Sequence, residues 1–140
     1  MKWEGVMPAV TTKFTDDDKL DLDLFNKNIL AQLDAGVSAI VLGGTLGEAS
    51  TLTAEEKNIL TKNTIEIIEG KIPIVVNVAE QSTKDAIRTA RSAEENGASG
   101  LMVLPPMRYR SCDVETVKYF KDIAISTSLP IMIYNNPVDY

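Results

Sequence analysis

The chain has 140 residues, 44% hydrophobic and 24% charged, with a formal net charge of -6, which suits one soluble globular domain able to bury a core. The acidic balance argues against a nucleic-acid surface, which needs clustered Lys and Arg. One cysteine, Cys112, excludes an internal disulfide, and the lack of histidine excludes Ser-His triads and His-based metal sites within these residues.

Residues 5–12 (Gly-Val-Met-Pro-Ala-Val-Thr-Thr) predict a first strand. Asp16-Asp17-Asp18 reads as a solvated turn and not as a metal site. Leu22, Phe25, Ile29, Leu30 and Leu33 recur at helical spacing, and Gly36 ends that helix. Residues 38–42 form a second strand, apolar enough to be buried on both faces. Thr53-Ala54-Glu55-Glu56 is a capping box that opens a helix carrying Ile59, Leu60, Ile67 and Ile68, closed by Gly70. A strand over 72–78 follows. Ser82 then caps a helix through Ala86, Ile87, Ala90 and Ala93, stopped by Asn96-Gly97. Residues 100–104 make a fourth strand that ends at Pro105-Pro106. A helix over 113–126 places Val117, Phe120, Ile123 and Ala124 on one face, and residues 131–134 form a fifth strand. Cys112 sits in the loop before that last helix, with no histidine to activate it.

Five strands alternating with four helices predict a parallel sheet with right-handed crossovers. An open doubly wound sheet and a (β/α)8 barrel both satisfy this. The barrel is favoured by a uniform repeat of roughly 30 residues, typical of a barrel of ~250, and by the lack of a Gly-rich dinucleotide fingerprint. Polar residues also gather just after the strands: Thr11, Thr12, the 43–48 loop, Asn77, Arg108 and Tyr134. In a barrel these positions form the face that carries active sites. Residues 1–140 then represent the N-terminal part of one barrel domain, with about five of its eight strands. No signal peptide and no membrane-length segment are evident, so a cytoplasmic protein without membrane partners is expected.

Two segments carry candidate chemistry. Gly43, Gly44 and Gly47 allow unusual backbone angles and close approach of a ligand, and the loop leads into a helix start whose N–H groups suit a small carboxylate. Spacing alone supports a plain tight turn equally well. Tyr134 ends the last strand, where its hydroxyl could meet Thr45; the alternative is a core aromatic with a backbone partner.

Gly44-Thr45-Leu46-Gly47-Glu48 resembles the Gly-Thr/Ser-Thr-Gly-Glu signature of the dihydrodipicolinate synthase/N-acetylneuraminate lyase family. Tyr134-Asn135-Asn136-Pro137 resembles its Tyr-Asn-x-Pro signature, and residues 5–12 and 73–76 fit as well. The resemblance implies a (β/α)8 barrel and a lyase or aldolase that forms a Schiff base between a lysine and a pyruvate-like 2-oxo acid or an imino acid. By this resemblance Tyr134 relays protons and Thr45 hydrogen-bonds to it. Backbone N–H groups of Gly44, Thr45, Leu46 and Gly47 hold the carboxylate, and Glu48 braces the loop. No cofactor and no metal are implied, and a homo-oligomer is expected.

The departures are specific. The family's Schiff-base lysine follows the next strand, beyond Tyr140; of the lysines present only Lys13 lies just past a strand end. Asp139 stands where the synthase has an arginine, Arg108 and Tyr109 lie near the position of its relay tyrosine from a neighbouring subunit, and Leu46 replaces a hydroxyl residue. The motifs look closer to the branch that deaminates 1-pyrroline-4-hydroxy-2-carboxylate in hydroxyproline breakdown. A non-catalytic half-barrel that self-associates is the alternative from another class, and the 140-residue segment by itself is expected to be inactive.

Overall fold

The computed structural model describes residues 1–106 and 111–135. Within them the order is α1 (Leu22–Asp34), β1 (Ile40–Leu42), a one-turn 3-10 segment (Thr45–Gly47), α2 (Ala54–Ile68), β2 (Ile74–Val78), α3 (Thr83–Glu95), β3 (Gly100–Val103), α4 (Asp113–Ala124) and β4 (Ile131–Ile133). All strand pairs are parallel, and the sheet runs β1-β2-β3-β4 in chain order. Sequential order without a reversal is the winding of a barrel, not of a doubly wound sheet.

The first expected strand is corrected. Residues 5–12 lie beside β1 but make one ladder bridge, Ala9 to Val41, flanked by Val41 N–H donating to Pro8 O (2.9 Å) and Val10 N–H to Val41 O (3.1 Å). Ser38 N–H donates to Val6 O at 2.8 Å. The return bond there would need an N–H on residue 8, which proline lacks. The remaining strands are shorter than expected by one or two residues at an end. Pairing continues past β4 all the same, since Tyr134 N–H donates to Val103 O at 2.9 Å.

Alternation divides the sheet into two faces. Ile40, Leu42, Ile74, Val76, Val78, Leu101 and Val103 point to the helices and form two apolar clusters, one with Phe25, Ile29, Leu60 and Ile68, the other with Ala86, Ala90, Tyr119 and Ile123. Phe25 and Ile29 are fully buried, worth about 1.5–3 kcal/mol each. The opposite face carries Val41, Asn77, Met102 and Met132, which border a recess.

Local signals hold up well. Thr53 and Glu56 close the capping box, with Glu56 N–H donating to Thr53 Oγ1 (3.2 Å) and Thr53 N–H to Glu56 Oε2 (2.8 Å). Ser82 Oγ accepts from Asp85 N–H at 3.1 Å. Asp16, Asp17 and Asp18 occupy an exposed turn. The face expected for the fourth helix is corrected: Val117 is 51% exposed and Ala124 is also exposed, whereas Tyr119 and Ile123 are buried. The helix turns its large ring onto the sheet and α3, which removes more apolar area from water than Val117 would. Leu30 and Ile59, expected on buried faces, are likewise more than a third exposed. No described helix is long and apolar enough to cross a membrane.

Candidate active site

The site is built where β1 ends. Gly43 turns the chain at φ +69°, a region that favours glycine. Residues Thr45–Gly47 then coil into one 3-10 turn, with Gly47 N–H donating to Gly44 O (2.9 Å) and Glu48 N–H to Thr45 O (3.0 Å). Two long-range bonds pin this loop. Thr12 Oγ1 donates to Gly47 O at 2.6 Å in a buried setting, and Asn77 Nδ2 donates to Gly43 O at 2.7 Å. A Cβ on Gly47 would lie 2.9 Å from Val10 O, so close approach of the N-terminal segment requires glycine there.

The loop spends its donors unevenly. Gly47 N–H is used within the turn, while the N–H groups of Thr45 and Leu46 have no partner among the described residues. Both residues are exposed, Leu46 at 75%. Gly44 is buried under Ala9, 3.3 Å from where its own Cβ would be. The exposed donors are therefore those of Thr45 and Leu46; the N–H of the buried Gly44 is likewise without a partner among the described residues, and Gly47 shapes the turn.

A recess of about 610 Å³ opens beside the loop, bordered by Gly44, Thr45, Leu46, Asn77, Met102, Met132 and Tyr134. Trp3 lies lower on the same face, its Cη2 3.0 Å from the position of a Cβ on Gly100. Tyr134, 43% exposed, stands at the far rim. No hydrogen bond joins the Thr45 hydroxyl to Tyr134 among the described residues, although both border the recess. Glu4 is the one charged residue among those lining it, and Lys13 is not one of them. A larger groove of about 760 Å³ lies between α2 and α3 and shares no residue with the recess.

Glu48 braces the loop differently from expectation. Its carboxylate accepts no hydrogen bond among the described residues; its carbonyl instead accepts from Thr51 Oγ1 and Thr51 N–H, both at 2.9 Å. The backbone at Glu48 is left-handed (φ 57°), which aims that carbonyl at the following turn. Arg108, Tyr109, Asn136, Pro137 and Asp139 lie outside the described residues. Among the described residues no cluster of His, Cys, Asp or Glu is placed to hold a metal ion. Sequence reading marked Thr12 and Asn77 only as polar residues after strands. Their roles as pins of the loop depend on contacts 35 and 34 residues away.

The model of the dihydrodipicolinate synthetase family matches residues 2–139. The chain belongs to this family. A 4-hydroxy-tetrahydrodipicolinate synthase of Thermotoga neapolitana is 35% identical over 135 residues, covering 96% of this chain and 46% of the relative. The Salinibacter ruber synthase is 33% identical over 137 residues, covering 98% and 45%. Among solved structures, the chloride-inhibited dihydrodipicolinate synthase of Acinetobacter baumannii in complex with pyruvate superposes with a TM-score of 0.95 at 29% identity, over 99% of this chain and 47% of that one. A prophage protein of the family from E. coli K12, also with pyruvate, gives 0.93 at 29% identity over 98% and 46%. The chain thus spans about half the length of the relatives it matches, and corresponds to the N-terminal half of the family's (β/α)8 barrel.

Proposed function

We propose that this chain supplies the carboxylate-binding and proton-relay half of a lyase that forms a Schiff base with a small 2-oxo or imino acid. The observation that carries this reading is the recess itself. Two N–H groups without a partner among the described residues, those of Thr45 and Leu46, stand at one rim and Tyr134 at the other, with Asn77, Met102 and Met132 between them. Two pyruvate-bound relatives of the same family add support.

The chemistry follows from the donors. Thr45 and Leu46 N–H hold the substrate carboxylate by charge-assisted hydrogen bonds, which are about twice as strong as neutral ones. A lysine amine then adds to the 2-oxo carbon: the C–N bond forms as the C=O π bond breaks, an amine proton passes to the oxygen, and the carbinolamine then loses its hydroxyl as water. Tyr134 Oη donates the proton that this leaving hydroxyl needs, and the Thr45 hydroxyl borders the same recess without a hydrogen bond to the phenol among the described residues. The resulting imine draws electrons from the adjacent carbon, where a bond is made or broken. On this reading the amine belongs to a lysine other than those of residues 1–140, in keeping with a recess that no lysine lines among the described residues.

Borohydride trapping with pyruvate, read by intact mass, tests the reading. We expect no adduct on the 140-residue chain and a stable one on the same chain extended by the remaining strands of a relative's barrel. An adduct on the short chain would assign the nucleophile to a lysine within it, Lys13 first. No adduct on the extended chain would refute Schiff-base chemistry.

A further inference from the structure

Asn77 interrupts an otherwise apolar strand, Ile74-Val75-Val76-Asn77-Val78, and points to the floor of the recess. Met102 is its register partner on β3, and Met132 continues the row on β4. It is 6% exposed. Its Nδ2 donates to Gly43 O at 2.7 Å. Because a carbonyl only accepts, this bond fixes which end of the amide faces Gly43. Oδ1 therefore turns the other way, and there it is buried with no hydrogen-bond partner among the described residues. Native interiors satisfy the great majority of such acceptors, because an orphan is destabilising. An aliphatic side chain would remove that orphan but would leave Gly43 O without its donor. The amide's donor anchors the loop, and its acceptor is left open by the described residues. The thioether side chain of Met102 is flexible and is the neighbour best able to yield to an incoming group.

We propose that Asn77 determines substrate specificity in this site, its Oδ1 accepting a hydrogen bond from a hydroxyl that the substrate carries beyond its carboxylate. This rests on the reading of the recess as a 2-oxo or imino acid site. It narrows the class to hydroxylated acids, which gain over their deoxy counterparts one hydrogen bond in place of an orphaned acceptor.

The test is a titration of the ¹⁵N-labelled 140-residue chain with pyruvate and with 3-hydroxypyruvate, followed by NMR at the Thr45 and Leu46 amides and the Asn77 carboxamide. Both acids are expected to move Thr45 and Leu46. Hydroxypyruvate should bind about 3- to 10-fold more tightly, the equivalent of one neutral hydrogen bond, and it alone should move the Asn77 signals. Asn77→Val should bind the two acids alike. Equal affinities in the natural chain overturn the inference, as does a preference that survives in Asn77→Val. Should that variant fail to fold, the comparison in the natural chain decides by itself. If neither acid moves Thr45 or Leu46, the carboxylate reading is overturned and this inference falls with it.

Discussion

Thr12→Val isolates the bond that holds the candidate carboxylate loop to the N-terminal segment. Thr12 is 7% exposed and donates through Oγ1 to Gly47 O at 2.6 Å, and Gly47 is itself buried. Valine keeps the β-branched shape, so no cavity and no clash accompany the change. What remains is a buried carbonyl stripped of its donor, at a cost of about 1–3 kcal/mol. Against a total of about 5–15 kcal/mol this is a large fraction. For a domain of this size it lowers the melting temperature by about 3–10 °C. Urea unfolding followed by circular dichroism should show a lower midpoint with an unchanged slope, since the surface exposed on unfolding is the same. Thr12→Ser, which retains the hydroxyl, should recover most of the loss. A loss below about 0.5 kcal/mol in Thr12→Val, outside the usual range for orphaning a buried carbonyl, would refute the reasoning, as would a Thr12→Ser variant no better than Thr12→Val.

Gly47→Ala places a Cβ 2.9 Å from Val10 O, a backbone atom that cannot rotate away; overpacking of this kind costs about 1–3 kcal/mol and is read from the same denaturation curves. Tyr119 buries its hydroxyl without a partner among the described residues, and desolvation, aided by the charge of Glu80, pushes its phenol up to about 12. A raised phenol contributes stability below its unfolded value near 10.0, and this is lost as pH rises toward 12. Tyr119→Phe should therefore match or exceed the natural chain at pH 8 and gain further on it at pH 11; a constant difference between the two pH values would refute the assignment. In the chain extended to a whole barrel, Tyr134→Phe should lower kcat by about 10²- to 10⁴-fold with little change in substrate affinity; unchanged turnover would remove Tyr134 from the proton relay.

Elements whose signals lie within a few residues were legible from sequence. The Thr53–Glu56 capping box and the Ser82 cap are four-residue patterns, and each forms as read because both partners ride the same turn. The family motifs at residues 44–48 and at Tyr134 were equally legible. Their positions at opposite rims of one recess agree with parallel strands ending on one side.

Tertiary structure decided what depends on neighbours distant in sequence. Val117 and Tyr119 are both apolar enough for a buried face, and only the packing of α4 on the sheet and α3 selects Tyr119. Residues 5–12 have strand composition, yet Pro8 withholds the donor that a second bridge to the neighbouring segment would need. Periodicity cannot register that Gly47 N–H is used inside its turn while those of Thr45 and Leu46 have no partner among the described residues. Nor can it show Thr12 and Asn77 reaching across adjacent strands to Gly47 and Gly43. Local propensity sets which elements form. Strand register then brings particular atoms within hydrogen-bond distance, and register is a property of the assembled sheet.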